Sequence, residues 1–135
     1  MDFNYTEDQK SLISAINNSI KNFDDSYWLE CDKNSSFPHD FVNTLADGGW
    51  LGIAMPAEYG GSKLGVTESA LMMMIIAEKG AMTAASSIHM NIFGPNALVK
   101  FASQQQKRNW LPKIINGETK MCFAITEPDT GLDTT

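Results

Sequence analysis

The chain has 135 residues, 43% of them hydrophobic and 19% charged, with a formal net charge of −6. That is the length of one domain with room for one hydrophobic core, at a composition ordinary for a globular fold. The acidic balance excludes the basic footprint of a nucleic-acid binder and the polybasic patch of a membrane-surface protein.

Thr6 is a good N-cap, and Gln9 three residues on completes a capping box, so a first helix is expected from there to the polar crowd at residues 31–34. Leu12, Ile13, Ile16, Ile20, Phe23 and Tyr27 recur at steps of three and four and form its apolar stripe. Pro38 suits the first turn of a second helix that carries Phe41, Val42 and Leu45, and Gly48-Gly49 ends it. Residues 50–65 are apolar but broken by glycines and a proline, which predicts a loop packed against the domain. Thr67 caps a third helix. It is apolar all round from Ala70 to Ala77 and therefore central, with Met72, Met73 and Met74 as core fillers and Gly80 at its end.

A further helical stretch begins with Ser86 to Met90, breaks at Gly94-Pro95, and resumes from Ala97 to Phe101. Ser103 with Gln106 repeats the capping box, and Trp110, Leu111, Ile114 and Ile115 give the last helical stripe. Pro112 implies a kink or a helix start nearby, and Asn116-Gly117 closes the element. Only then does the pattern change, to the short β-prone run Met121–Thr126. The expected fold is mainly α, an orthogonal or up-down bundle of five to six helices ending in one strand. Residues 1–118 form the helical domain and 119–135 the incomplete start of a β-domain. A lone strand leaves an unpaired edge, which is an aggregation hazard.

Cys31 and Cys122 are far apart and in no metal-like spacing, which predicts reduced thiols. His39 and His89 stand alone, without a paired Ser, Cys or carboxylate motif, and neither zinc spacing nor a dinucleotide Gly-rich fingerprint is present. The N-terminus lacks the basic and apolar regions of a signal peptide, and the run Ala70–Ala77 is too short to span a bilayer, so the simplest reading is cytoplasmic.

Three ordered motifs carry a resemblance. Phe37-Pro38 leads a short helix into Gly48-Gly49-Trp50-Leu51-Gly52-Ile53. Pro56-Ala57-Glu58-Tyr59-Gly60-Gly61 is a Pro-Glu-aromatic-Gly-Gly loop. Phe123-Ala124-Ile125-Thr126-Glu127-Pro128 ends an apolar run and leads to Gly131-Leu132-Asp133. Together with the Gln- and Lys-rich entry to the last helix, they resemble the N-terminal helical domain of the acyl-CoA dehydrogenases, over essentially the whole chain.

The resemblance implies FAD as cofactor, an acyl-CoA thioester as substrate, an electron-transfer flavoprotein as acceptor and a homotetramer at full length. It implies that Phe123 and Ile125 lie against the flavin ring and that Thr126 offers its hydroxyl and backbone to the ring's polar edge. The turn at Gly131 and Leu132 would approach the flavin diphosphate through backbone N–H groups. Many relatives have Ser where this chain has Leu132, so a side-chain role there is in doubt. Met90 and Asn91, with Phe93, would line the blind end of an acyl pocket. The family's glutamate base lies in a C-terminal domain, so Glu58, Glu118 and Glu127 are not nominated. The 135 residues read as an N-terminal piece of a dehydrogenase, inactive alone and weak in FAD binding. The alternatives are a flavin oxidase or monooxygenase of the same fold, or a free-standing helical interaction module.

Overall fold

The computed structural model describes residues 4–129 and residue 131. Among them are six α-helices: α1 (Glu7–Ile20), α2 (Asp25–Lys33), α3 (His39–Asp47), α4 (Val66–Phe93), α5 (Pro95–Phe101) and α6 (Gln104–Ile115). Short 3₁₀ turns, Trp50–Gly52 and Ala57–Tyr59, punctuate the long α3–α4 connection. The mainly helical architecture is as expected, and no strand occurs among the described residues.

Both capping boxes form. Gln9 N–H donates to the Thr6 hydroxyl at 3.2 Å while the Gln9 carboxamide accepts from Thr6 N–H at 3.1 Å, and Ser103 with Gln106 repeats the exchange. The expected first helix is in fact two. Asp24 accepts hydrogen bonds from the backbone N–H of Ser26 and Tyr27, and so starts a new helix where the stripe alone would run on. The Ser26 hydroxyl first, then those N–H groups, hold the Asp24 carboxyl below the usual carboxylate range.

The expected break at Gly80 is instead a kink. α4 continues to Phe93 with Gly80 and Ala81 in non-helical conformation. A Cβ on Gly80 would meet the Trp28 ring 2.5 Å away, so the missing side chain is the notch in which Trp28 sits. Pro112 lies inside α6 and ends nothing.

The core has two parts. The larger gathers Ile16, Ile20, Phe41, Leu45, Leu51, Met72, Ile76 and Ile88, all nearly inaccessible, around the upper length of α4. Phe23, Tyr27, Trp28 and Phe41 close it with four edge-to-face pairs at centroid distances of 4.8–5.3 Å. The smaller part holds Met55, Leu111, Ile114 and Ile115, with Tyr59, Leu98, Val99 and Met121 against it. Met74 departs from the expected core role. Three consecutive helical residues fan through more than half a turn, so Met72 is fully buried, Met73 half-buried and Met74 exposed.

The helical run Val66–Phe101 is long and apolar enough, by length and composition, to cross a membrane. Here it is the core helix: kinked, and packed on α1, α2 and α3.

Candidate functional site

The segment that follows α6 is tied down up to Met121 and bare beyond it. Asn116 and Gly117 end α6, the latter at φ +77. Thr119 N–H then donates to the Lys113 carbonyl at 2.9 Å. Lys120 places its ammonium 3.7 Å from the centre of the Phe37 ring, a cation–π contact that ties this segment to the α2–α3 connection.

The principal tie is Asn91, a polar residue buried in the last turn of α4. Its amide nitrogen donates to the Thr119 carbonyl at 2.9 Å and to the Ile114 carbonyl at 3.3 Å. Its carbonyl oxygen accepts from Met121 N–H at 2.9 Å. Met121 itself is half-buried in the smaller core cluster, against Gly94 at the α4–α5 junction.

Past Met121 the side chains of Cys122, Phe123, Ala124, Ile125 and Thr126 are all exposed, Phe123 to 66% and Ile125 to 55%. The expected strand Met121–Thr126 carries no regular secondary structure; just past it, Glu127 lies in an isolated bridge. The physical reason is pairing. A strand is a set of shared hydrogen bonds, and its first amide, Met121 N–H, is bonded to a side chain instead. Gly131 stands open, with nothing within 4 Å of a Cβ placed on it, while Leu132 and Asp133 lie outside the described residues.

A cavity of about 440 Å³ opens between the start of α4, its end, and α5. Met55, Val66, Ile92, Phe93, Pro95 and Val99 give it apolar walls, Ser69 and Lys100 also line it, and among the described residues no carboxylate does. Met55 and Val99 belong at the same time to the smaller core cluster that holds Met121. Of the expected acyl-pocket residues, Phe93 lines this cavity. Asn91 has its carboxamide committed to the backbone of residues 114–121, and Met90 is half-buried beside it. Glu58, Glu118 and Glu127 are exposed. Among the described residues no group of three or more His, Cys, Asp or Glu is arranged to hold a metal.

The Pro56–Gly61 loop supports one wall of the cavity. Gly61 N–H donates to the Pro56 carbonyl at 3.1 Å and Lys63 N–H to the Met55 carbonyl at 2.9 Å, which fixes Met55. Tyr59 donates its hydroxyl to the Gln104 carboxamide at 2.8 Å, joining the loop to α6; the adjacent Glu58 carboxylate pushes the Tyr59 phenol up.

The family model "Acyl-CoA dehydrogenase, N-terminal domain" matches residues 6–118. The chain belongs to that family. Acyl-CoA dehydrogenase fadE12 of Mycobacterium tuberculosis (strain CDC 1551 / Oshkosh) is 32% identical over 126 residues, covering 93% of this chain and 32% of that protein. Acryloyl-CoA reductase (NADH) of Anaerotignum propionicum is 30% identical, over 98% of this chain and 34% of its own length. Among solved structures, a chain from the work described as "Electron transferring flavoprotein of Acidaminococcus fermentans: Towards a mechanism of flavin-based electron bifurcation" superposes with a TM-score of 0.86. It is 27% identical, over 99% of this chain and 35% of that one. This acyl-CoA dehydrogenase N-terminal domain thus spans about a third of the length of the curated relatives it matches.

Proposed function

We propose that these residues are the N-terminal portion of a cytoplasmic, FAD-dependent acyl-CoA dehydrogenase that removes hydrogen from the α and β carbons of an acyl-CoA thioester. The observation that carries the reading is the exposed apolar pair Phe123 and Ile125 on a segment anchored at Met121, which shares the smaller core cluster with the cavity-lining Met55 and Val99. Two uncovered apolar side chains on a segment anchored at its root suit a flat, largely apolar ring laid against them. Thr126 would bond the ring's polar edge, and Gly131 leaves room for close backbone approach. The residues fit one face of a flavin; the rest of its enclosure would come from other parts of a protein of the relatives' length.

When bound, FAD supplies the hydride acceptor for the β carbon. The chain's own residues bind and exclude water. The cavity walls Ile92, Phe93 and Val99 would take the acyl tail, and Lys100 could meet the anionic part of the ligand. The α-proton acceptor is not assigned to Glu58, Glu118 or Glu127, because all three are exposed and none lines the cavity. The 135-residue segment alone would accordingly bind FAD weakly and turn nothing over.

An electron-transfer flavoprotein as acceptor and a homotetrameric assembly belong to the same proposal. The acryloyl-CoA reductase relative favours a second direction, reduction of an enoyl-CoA on the same scaffold. The test is to purify the product of the natural reading frame, record its flavin absorbance, and assay dye reduction with saturated acyl-CoAs against enoyl-CoA reduction. A product that neither retains nor rebinds FAD would sink the proposal. Enoyl-CoA reduction without acyl-CoA oxidation would select the second direction.

A further inference from the structure

We infer that Asn91 is a positioning residue that sets the Phe123–Thr126 segment for flavin contact. The inference rests on the flavin reading of that segment. Three facts point to it. The side chain is 7% exposed, so its polar groups are removed from water and must be satisfied inside. Both ends of the carboxamide are used, on Ile114, Thr119 and Met121, twenty-three to thirty residues away along the chain. The bond to Met121 N–H is the last tie before the bare residues begin, so it sets the point from which Phe123 and its neighbours leave the core.

The location adds a consequence. Asn91 immediately precedes Ile92 and Phe93, which line the apolar cavity. One helical turn therefore holds both the cavity wall and the root of the flavin-facing segment. A ligand that shifts this turn shifts both together.

The chemistry separates the bonds. Asn91→Asp keeps an acceptor for Met121 N–H but places a carboxylate against two carbonyl oxygens. Asn91→Leu, close in volume, removes all three bonds. Either leaves the freed backbone groups to find water, which requires the segment to lift. Flavin binding would then be reduced by the fraction of time the segment is correctly placed.

The experiment uses the purified product of the natural reading frame, with Asn91→Leu, Asn91→Asp and the remote core variant Ile16→Val as a control for general destabilisation. Three quantities are read: amide exchange at Met121 and Cys122, FAD dissociation constant by flavin fluorescence, and the flavin visible band. Loss of Met121 protection, with FAD binding weakened roughly ten-fold and the band shifted in the Asn91 variants but not in Ile16→Val, is expected. Two results would overturn the inference: Met121 protection lost while FAD affinity and band stay at wild-type values, or Ile16→Val weakening FAD as much as the Asn91 variants. A wild-type protein that binds no FAD would instead overturn the flavin reading on which the inference stands. If both Asn91 variants fail to fold, Met121→Pro removes the donor to Asn91 Oδ1 together with a half-buried side chain of the smaller cluster, and unchanged FAD affinity in it would equally refute the role.

Discussion

Replacing Gly61 by Ala should damage this domain far more than the same change at its neighbour Gly60. A Cβ on Gly61 would overlap the Met55 carbonyl oxygen and lie 2.5 Å from the Met55 carbonyl carbon, where ordinary contact begins at 3.4 Å. Both atoms are backbone, so no rotamer change relieves the clash; residues 55 and 61 must separate. That separation breaks the bond from Lys63 N–H to the Met55 carbonyl, worth about 1 kcal/mol. It also withdraws the Met55 side chain, now 2% exposed, from the smaller core cluster, a loss of roughly 2 kcal/mol. The expected cost is about 3 kcal/mol, a melting-temperature drop on the order of 10 °C for a chain of this size. Gly60 has nothing within 4 Å of its Cβ position, and at φ +96 an Ala there meets only backbone strain, about 1–2 kcal/mol. Thermal and urea unfolding of both variants decides the matter. Equal costs for Gly60→Ala and Gly61→Ala would show that the close approach to Met55 does not hold in solution.

Three further outcomes are expected. Ala81→Gly should raise the melting temperature, because Ala81 sits at φ 50, ψ −152, a region open mainly to glycine, and relief of that strain is worth about 1 kcal/mol; a lowered melting temperature would contradict the kink geometry. Asp24→Ala should destabilise the wild-type fold at neutral pH by removing the α2 cap. Since the folded carboxyl is held below its ordinary value of 3.8, the difference from wild type is present above that pH and closes as acid protonates Asp24 in the folded state, which unfolding curves from pH 7 downward would record. Phe123→Asp should leave stability within about 0.5 kcal/mol of wild type, because the side chain is 66% exposed, yet weaken FAD binding in the full reading-frame product; unchanged flavin fluorescence quenching would remove Phe123 from the site.

What the sequence made legible was mostly local. The caps Thr6 and Ser103 and the stop at Gly48 depend on residues within one helical turn, and each stands where its chemistry requires. The α1–α2 break was hidden because Ile20, Phe23 and Tyr27 keep helical spacing across it, all facing one core; the readable signal was Asp24, a cap residue inside the stripe. Gly80 looked like a terminus because its partner, Trp28, is over fifty residues away along the chain. Phe123 and Ile125 enter the proposed site through motif order, whereas periodicity alone would put them in a core strand. The acyl-pocket expectation for Asn91 rests on the resemblance alone; its backbone partners at 114–121 leave no mark in spacing, so the sequence does not show the carboxamide's bonds.

The same long-range ties explain why the candidate site is asymmetric. The helical core satisfies its own needs up to Met121, whose side chain is half-buried and whose N–H is bonded, and one residue later it uses nothing more. A disordered-tail composition would be polar past that boundary; this one places the exposed apolar side chains of Phe123 and Ile125 there, where the proposed flavin would cover them. The cavity follows the same logic from the other side. Met55 and Val99 face both the smaller core cluster and the cavity, so the loop that fixes Met55 shapes the cavity wall without contacting a ligand. Under the proposed function, a substitution at Gly61 and one at Asn91 therefore reach the ligand by different routes, the first through the cavity wall and the second through the segment proposed to face the flavin. Acyl-chain preference should follow Gly61 and flavin affinity should follow Asn91.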